Sequence, residues 1–296
     1  MSPNNPEFQT HPMMEIRNLA GLSPDALFAA FSEAFADYEI TLDQQQHQKM
    51  LSRRGFDAAL SFGAFEDGRL VSFTCNGTGI FNGQRTAYDT GTGTLKEYRG
   101  KGMASKVFEA SIPYLTAAGI RQYLLEVLQH NEAAISVYRK MGFEVSREFN
   151  YFVAATDALQ LKEKSLQDEY ILKSLTPDDL TDPSPMWDFV PSWQNSFESI
   201  QRKPEDFRVI GVFVNDYPVA YGILEPASGD ITQLAVHPEH RRKGLGTAIL
   251  REMVRLNRHT GIKAINTETS CVAMEAFFNS NGLPLKGKQF EMIRKL

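Results

Sequence analysis

One internal duplication limits the fold of this chain more than any other feature of its sequence. Around residue 99 the chain reads YRGKGMASKVFEASIPYL, and around residue 241 it reads HRRKGLGTAILREMVRL. Arg99 and Arg241 lie 142 positions apart, and two glycines of a second shared segment, Gly142 and Gly282, lie 140 apart. Because both signatures keep nearly the same offset, the sequence predicts two similar domains of about 140 residues each.

A third correspondence indicates where each domain begins. Residues 14–27 (MEIRNLAGLSPDAL) and 170–180 (YILKSLTPDDL) both resemble a strand followed by a helix that starts at Ser/Thr-Pro-Asp. Residues 155–170 are polar and lack strand signals. We therefore expect a disordered leader at 1–13, a first domain at 14–155, and a second domain at 156–296 that includes a linker.

Both predicted domains share one order of strands and helices. Hairpin turns are predicted at 66–68 and 215–216, and short strands at 123–128 and 263–268. Apolar residues at helical spacing predict helices at 103–118, 131–141, 245–259 and 271–280. This mixture indicates an α+β or mixed α/β fold in each domain.

Composition excludes several classes of protein. The formal net charge is −5, which argues against a nucleic-acid partner. No apolar run approaches the roughly 20 residues that a membrane-spanning helix needs, and the start of the chain lacks a signal peptide pattern. Cys75 and Cys271 are the only cysteines, so neither a disulfide framework nor a zinc site is predicted. Free thiols are consistent with the reducing cytoplasm.

The glycine-rich turns of the duplication can bind phosphate through the backbone. The first amides of a helix have no intrahelical partner, and Gly or Ala lets an anion approach them. Nearby cations and hydroxyls strengthen the attraction: Arg99, Lys101, Arg241, Arg242, Lys243, Ser105 and Thr247. A single Gly-x-Gly is equally typical of a tight strand-to-helix turn. Neither copy has the spacing of a mononucleotide P-loop or of a dinucleotide fold.

With these motifs the chain resembles the GNAT superfamily (GCN5-related N-acetyltransferases) twice over. The family's Arg/Gln-x-x-Gly-x-Gly/Ala turn is present in both halves, most cleanly in LAVHPEHRRKGLGTAIL. A later family segment, Asn-x-x-Ala-x-x-x-Tyr-x-x-x-Gly-Phe, is complete in the first half as Asn131, Ala134, Tyr138, Gly142 and Phe143. The resemblance covers residues 14–296. It implies two tandem GNAT folds, each a mostly antiparallel, splayed central sheet flanked by helices.

The resemblance also implies acetyl-CoA as the bound coenzyme and a set of residues that hold it. In the first half these are Thr94, Leu95, Arg99, Gly100, Lys101, Gly102, Met103, Ala104, Ser105 and Asn131. In the second half they are Val236, Arg241, Arg242, Lys243, Gly244, Leu245, Gly246 and Thr247. Thr94 and Leu95 would offer backbone groups to the pantetheine arm and the thioester.

The first half carries the better candidates for catalysis. By resemblance Tyr138 would protonate the departing coenzyme sulfur, although packing is the usual role of a helical Tyr. Asp89 and Glu126, on the strands either side of the expected splay, are alternative general bases or solvated carboxylates. Glycines 91 and 93 predict a bulge in the strand of Asp89. In segment 34–43, the side chains Tyr38, Glu39 and Asp43 are candidates for recognising an amine.

The second half lacks the usual acid. At the 140 offset Tyr138 falls on Phe278 and Asn131 falls on Cys271. The second half is therefore a second active site with different demands, a coenzyme-binding regulatory half, or a scaffold for the first site. Trp187 and Trp193 lie in its acceptor segment, where they either cap a substrate site or pack at a domain interface.

These observations lead to an expected function. We expect an acetyl-CoA-dependent N-acetyltransferase, in which a small-molecule or peptide amine attacks the thioester directly in a ternary complex. A regulatory protein that binds acyl-CoA without turnover is one alternative, and aminoacyl transfer from a charged tRNA is another. No nucleic-acid or membrane partner is expected, the oligomeric state is open, and the expected location is cytoplasmic.

Overall fold

The computed structural model describes residues 14–37, 42–162 and 165–296 of the chain. Its first half contributes the strands β1 Met14–Asn18, β2 Phe62–Glu66, β3 Arg69–Phe81, β4 Gln84–Thr94, β5 Gln122–Leu128 and β6 Glu144–Ala155. Its second half contributes β7 Ile171–Leu175, β8 Arg208–Val214, β9 Tyr217–Glu225, β10 Asp230–Val236, β11 Gly261–Glu268 and β12 Leu285–Lys295. Each half thus repeats six strands in the same order, as the duplication predicts.

Two helices of the first half recur in the second: α6 and α7 correspond to α3 and α4. The first half has α1 Pro24–Ala34, α2 Gln44–Arg53, α3 Met103–Ala117 and α4 Glu132–Lys140. The second has the short α5 Phe197–Gln201, then α6 Leu245–Leu256 and α7 Val272–Ser280. The buried residues of α3 recur at three- and four-residue spacing, so that one apolar face covers the sheet: Met103, Val107, Phe108, Ser111 and Leu115.

One prediction at the start of the second half is corrected. Ser23 caps α1 by accepting a hydrogen bond from the Ala26 amide, as a helix start should. The matching Thr176 caps only a single 3₁₀ turn, Pro177–Asp179. Prolines 183 and 185 follow closely, and a residue before proline is driven away from the helical region of the backbone. The helix therefore cannot extend.

Tight turns place the strands in register. The hairpin between β2 and β3 turns at Asp67 and Gly68, with φ of 49° and 85°. The hairpin between β8 and β9 turns at Asn215 and Asp216, with φ of 47° and 65°. Two successive positive φ values characterise the turn whose twist matches that of antiparallel strands. Both predicted hairpins are confirmed.

The central strands of each half splay apart where a ligand could enter. β4 and β5 are parallel and pair at three positions, ending at Tyr88 opposite Leu124. β10 and β11 are also parallel, and pair at Asp230 and Lys263. Next to each splay one strand carries an extra residue, Thr90 in β4 and Thr232 in β10. The predicted bulge is thus present, and it recurs 142 positions later.

The last strand of each half completes the sheet of the other half. The strand order is β1-β2-β3-β4-β5-β12-β6-β11-β10-β9-β8-β7. β12 lies between β5 and β6, and β6 lies between β12 and β11, with every one of these pairings antiparallel. Because each half supplies a central strand to its neighbour, removing either half would leave unpaired backbone groups in the sheet that remains.

The segment 187–195 of the second half adds side-chain contacts to the strand pairing between the halves. Trp193 is 1% exposed and stacks on Tyr88, with ring centroids 5.4 Å apart and an interplanar angle of 5°. Its indole Nε1 donates to the Arg54 carbonyl at 3.1 Å. Of the two alternatives left open for Trp193, the structure shows interface packing.

In the described residues, every helix is too short or too polar to cross a bilayer.

Candidate active site

The first glycine turn presents backbone rather than side chains to a ligand. Gly100 and Gly102 have φ of 74° and 71°, and Gly102 precedes α3 as its N-cap residue. A Cβ at either position would meet no atom within 4 Å, so the requirement for glycine is the left-handed backbone itself. Residues 103–105 then offer the first free amides of α3, as expected for a turn that binds phosphate through its backbone, here called a cradle.

The guanidinium of Arg99 is already bound to groups of the protein. Its Nε donates to the Thr94 carbonyl at 3.1 Å and its Nη2 to the Ala34 carbonyl at 2.9 Å. Its Nη1 lies 3.3 Å from the Asp37 carboxylate. The guanidinium thus ties the end of β4 to the end of α1. The Leu95 amide is also occupied, because it donates to the Val71 carbonyl at 3.0 Å and is not free for a pantetheine arm.

The second glycine turn opens onto a groove of about 610 Å³. Arg242 takes the left-handed position of Gly100, with φ of 64°, and Gly244 follows with φ of 93°. Seven of the eight second-half residues predicted to hold the coenzyme line this groove, namely Val236, Arg241, Arg242, Gly244, Leu245, Gly246 and Thr247. Its volume is in the range of ligand-binding clefts.

The eighth residue, Lys243, points elsewhere: its Nζ lies 5.7 Å from the centre of the Tyr170 ring. In the first half, Lys101 does the same over Tyr98, at 5.2 Å. Both lysines keep positive charge beside a glycine turn. The two turns thus resemble each other in their backbone and in the placement of this cation.

At the splay of the first half, Asp89 and Tyr138 meet. The Tyr138 hydroxyl donates to Asp89 Oδ2 at 3.3 Å, and Thr92 Oγ1 donates to the same oxygen at 2.9 Å. The Gly91 amide donates to Asp89 Oδ1 at 2.9 Å. Burial raises the pKa of Asp89 to about 6, although these donors and the nearby Arg54 charge favour its ionised form.

Helix α4 aims Tyr138 at this splay. Asn131 caps the helix, with its side-chain oxygen accepting from the Ala134 amide at 3.2 Å. Tyr138 lies two turns further on the same face and packs against Phe143, ring centroids 5.8 Å apart. The Asn131 oxygen is thus engaged in capping, and Tyr138 is the member of the motif whose hydroxyl reaches the splay.

Glu126, the other carboxylate at the splay, is held by the second half. Gln194 donates its Nε2 to Glu126 Oε2, and Asn266 Nδ2 donates to the same oxygen at 2.7 Å. Burial raises the pKa of Glu126, with the Asn266 hydrogen bond and the Arg54 charge acting in the opposite direction. Glu126 Oε1 is buried without a hydrogen-bond partner. The two candidate bases therefore differ: Asp89 contacts the candidate acid, and Glu126 belongs to the interface.

Comparison with known proteins identifies the family of these two sites. The sequence profile of the acetyltransferase (GNAT) family matches residues 25–143 and 172–282, one stretch in each half. The chain belongs to this family. The prediction of two tandem GNAT folds is confirmed, and the family's usual acyl donor is acetyl-CoA.

Relatives of this GNAT protein include N-acetyltransferases. N-alpha-acetyltransferase 30 of Schizosaccharomyces pombe is 39% identical over 67 residues, which are 22% of this chain and 45% of that protein. Spermidine N(1)-acetyltransferase of Escherichia coli K12 is 31% identical over 84 residues, 27% of this chain and 45% of that protein. The chain thus spans about half the length of the curated relatives it matches.

A solved structure matches both GNAT halves together. The tandem GNAT protein from the clavulanic acid biosynthesis pathway superimposes with a TM-score of 0.71, covering 96% of this chain and 98% of that one. Sequence identity is 13%, so this likeness concerns the fold.

Some polar residues of the first GNAT site were not found from the sequence. Arg54 lies across the splay, with Nη1 3.2 Å from the Thr90 carbonyl and Nη2 2.9 Å from Gln194 Oε1. Gln194 and Asn266 reach the site from elsewhere in the chain. One signal was available for Asn266, since it lies 140 positions after Glu126 and the two are equivalent in the duplication.

Of the three residues predicted to recognise the acceptor amine in the first GNAT half, the structure describes one, Asp43. Asp43 accepts from the Gln46 amide at 2.8 Å and forms a capping box with that residue at the start of α2. Its carboxylate therefore has a structural role. Tyr38 and Glu39 lie outside the described residues.

Proposed function

We propose that the first half transfers the acetyl group of acetyl-CoA to an amine, by direct attack in a ternary complex. The observation that carries this proposal is the Asp89–Tyr138 pair at the splay, in which a carboxylate with a pKa of about 6 accepts from a tyrosine hydroxyl at 3.3 Å. A base with a pKa just below neutrality is mostly ionised at pH 7 yet still able to take a proton.

The residues present fit the coenzyme. The turn at 100–105 offers free helix amides and left-handed glycines to a pyrophosphate, and Lys101 lies beside it. When bound, acetyl-CoA supplies the acetyl group as an activated thioester. Leu95 is removed from the set that we propose to hold it, since its amide is already bonded to Val71.

Asp89 and Tyr138 would together move one proton. In the proposed reaction the amine nitrogen bonds to the acyl carbon, and the carbon–sulfur bond breaks. Asp89 takes the proton that the nitrogen loses, and Tyr138 gives its hydroxyl proton to the departing sulfur. The proton on Asp89 then returns to Tyr138 through their hydrogen bond, so that the net transfer is from amine to thiol.

We assign Glu126 a positioning role beside the acceptor amine. Its held oxygen is fixed by two donors from the second half, and its other oxygen is buried without a partner. Two relatives are named as acetyltransferases of an alpha-amine and of spermidine. These names support an amine acceptor, either a small molecule or a peptide N-terminus. The buried free thiols of Cys75 and Cys271 support a cytoplasmic location for this reaction.

The test is a thiol-release assay with acetyl-CoA over a panel of amines, using Tyr138→Phe. We expect turnover to fall about 10- to 100-fold while calorimetric binding of coenzyme A is nearly unchanged. Tyr114→Phe is the matched control, because Tyr114 is 54% exposed on α3. An unaltered rate in Tyr138→Phe would remove Tyr138 from the mechanism. Failure of the wild-type protein to release thiol with any amine would reject the proposed reaction.

A further inference from the structure

The second half has the architecture of an active site without its titratable groups. The bulges at Thr90 and Thr232 and the N-caps of α4 and α7 align the two halves in space. At the equivalent positions, the two carboxylates and the tyrosine of the first site are replaced by side chains that do not titrate: Asp89 by Ile231, Glu126 by Asn266, and Tyr138 by Phe278. Asn131 is replaced by Cys271. Ile231 and Phe278 cannot accept or donate a proton, so the acid–base chemistry proposed for the first half has no counterpart there.

A slot nevertheless persists between β10 and β11. Its cavity of about 50 Å³ is walled by Trp187, Tyr221, Gln233 and their neighbours. Trp187 Nε1 donates to the Tyr221 hydroxyl at 2.6 Å, and that hydroxyl donates to Gln233 Oε1 at 2.6 Å. This chain of hydrogen bonds satisfies the polar ends of the two aromatic rings and holds their apolar faces in place.

The slot adjoins the coenzyme groove of the second half. Asp188, Leu234 and Met274 line both the 50 Å³ slot and the 610 Å³ groove. Asp188 is paired with Arg241 of the glycine turn at 2.9 Å, so the pair lies where the two spaces meet. A coenzyme thioester lying in the groove would therefore direct its acyl group into the slot.

Asn195, a residue that lines the slot, has a polar atom without a hydrogen-bond partner. Asn195 is 4% exposed, and its Nδ2 donates to the Ile265 carbonyl at 3.0 Å. Its Oδ1 is buried and accepts no hydrogen bond. An unpaired buried acceptor is costly, and a ligand with a suitably placed donor would relieve that cost.

We propose that the second half binds a short acyl-CoA whose acyl group carries a hydroxyl, and holds it without transferring it. The slot volume corresponds to roughly four water-sized positions, enough for a chain longer than acetyl. Its walls combine apolar and aromatic side chains with the polar Asp188, Gln233 and Asn266. The acyl hydroxyl donates to Asn195 Oδ1. This inference concerns the second half and does not depend on transfer by the first.

The test separates the two sites with matched variants of the full chain. Ala104→Leu places a side chain in the first cradle, and Gly246→Leu does the same in the second. A Cβ at Gly246 already lies 3.2 Å from the Phe277 ring, so a larger group there fills the groove. Calorimetry then measures CoA, acetyl-CoA, butyryl-CoA and 3-hydroxybutyryl-CoA with each variant, alongside thiol release with the amine panel.

The expected result is one remaining site in Ala104→Leu that binds 3-hydroxybutyryl-CoA about tenfold more tightly than butyryl-CoA and releases no thiol. Asn195→Ala, in the same background, should remove that preference. Gly246→Leu should lose this site. If either Leu variant fails to fold, wild type and Asn195→Ala are compared for the same tenfold preference.

Three results would overturn the inference: equal affinity for the four ligands, no second site, or turnover that survives in Ala104→Leu and vanishes in Gly246→Leu. An inactive wild-type protein that still binds the hydroxyacyl thioester would reject only the function proposed for the first half. The two proposals therefore fail in different experiments.

Discussion

The two halves share one fold and one kind of glycine turn, yet their sites differ in what surrounds the turn. In the first half, the splay holds Asp89 and Tyr138 and is covered by Trp193 and Gln194 from the second half. In the second half, Ile231 and Phe278 stand at the positions of that pair, and the groove beside the splay has a volume of about 610 Å³. Duplication has thus kept the backbone of the glycine turn and changed the side chains at the splay.

The segment 187–195 contributes side chains to both sites and so connects the two repeats. Trp187 and Asn195 line the second slot, whereas Trp193 and Gln194 contact the first site. The neighbours Gln194 and Asn195 therefore face different halves. Together with the exchange of β6 and β12, this arrangement makes each half part of the other's environment.

The largest expected effect is on kcat/KM, and it tests the chemical difference between the halves. Asp89→Asn should lower kcat/KM by about 10²- to 10⁴-fold, because the general base is lost. In the wild-type protein, protonation of Asp89 should make kcat/KM fall as the pH decreases through about 6. Profiles measured between pH 5 and 9 should lack this acid limb in the variant.

Ile231→Val, at the equivalent position of the second half, is the control and should leave the profile intact. A full acid limb in Asp89→Asn would assign it to another group, with Glu126 the next candidate.

The second effect concerns the contact between the halves. Trp193→Ala should lower the free energy of unfolding by about 3–5 kcal/mol, because a fully buried ring stacked on Tyr88 is removed. Trp187→Ala should cost less, since that side chain lies at a slot rather than in a filled core. Urea unfolding of both variants makes the comparison. Equal losses would mean that Trp193 has no special role at the interface.

The third effect is a pH dependence of the unfolding free energy that comes from a histidine of the first half. His47 is 1% exposed, neither ring nitrogen has a hydrogen-bond partner, and burial lowers its pKa to about 4 from 6.5. A lowered folded-state pKa means that this contribution to stability is present above pH 6.5 and is lost as the pH falls towards 4. The loss amounts to about 3 kcal/mol, at roughly 1.4 kcal/mol for each pKa unit.

His47→Leu should therefore flatten the decline of unfolding free energy over this pH range. His240→Gln, which replaces a histidine that contacts the Tyr170 hydroxyl at 3.1 Å, is the comparison in the second half. An identical acid slope in wild type and His47→Leu would contradict the assignment.

The smallest expected effect is on KM, and it distinguishes the roles of the adjacent residues Gln194 and Asn195. Gln194→Ala removes a donor to Glu126, and we expect KM for the amine to rise about fivefold, the equivalent of one hydrogen bond. KM for acetyl-CoA should stay unchanged. Asn195→Ala should alter neither value, because its side chain lies in the second slot. A change in kcat with constant KM would indicate that Gln194 affects the proton path.

Local patterns predicted a large part of this molecule. The two hairpins and the helices α3, α4, α6 and α7 follow from short-range signals such as turn residues and apolar spacing. The splayed strands were expected from the family resemblance. Tyr138 was found because a motif spans its neighbours. The helix predicted after Thr176 is a single 3₁₀ turn. The signal for its start is local, whereas the prolines that prevent its extension lie beyond the turn.

The sequence by itself determined two repeats, each with a glycine turn at a helix start and with unequal chemical groups. Only the tertiary structure decided that β6 and β12 exchange places, because alternating apolar residues define a strand's faces and do not name its neighbours. It also decided that Glu126 is held by Gln194 and Asn266, residues 68 and 140 positions away. Such contacts depend on how a curved sheet brings distant strands together, which no local pattern records.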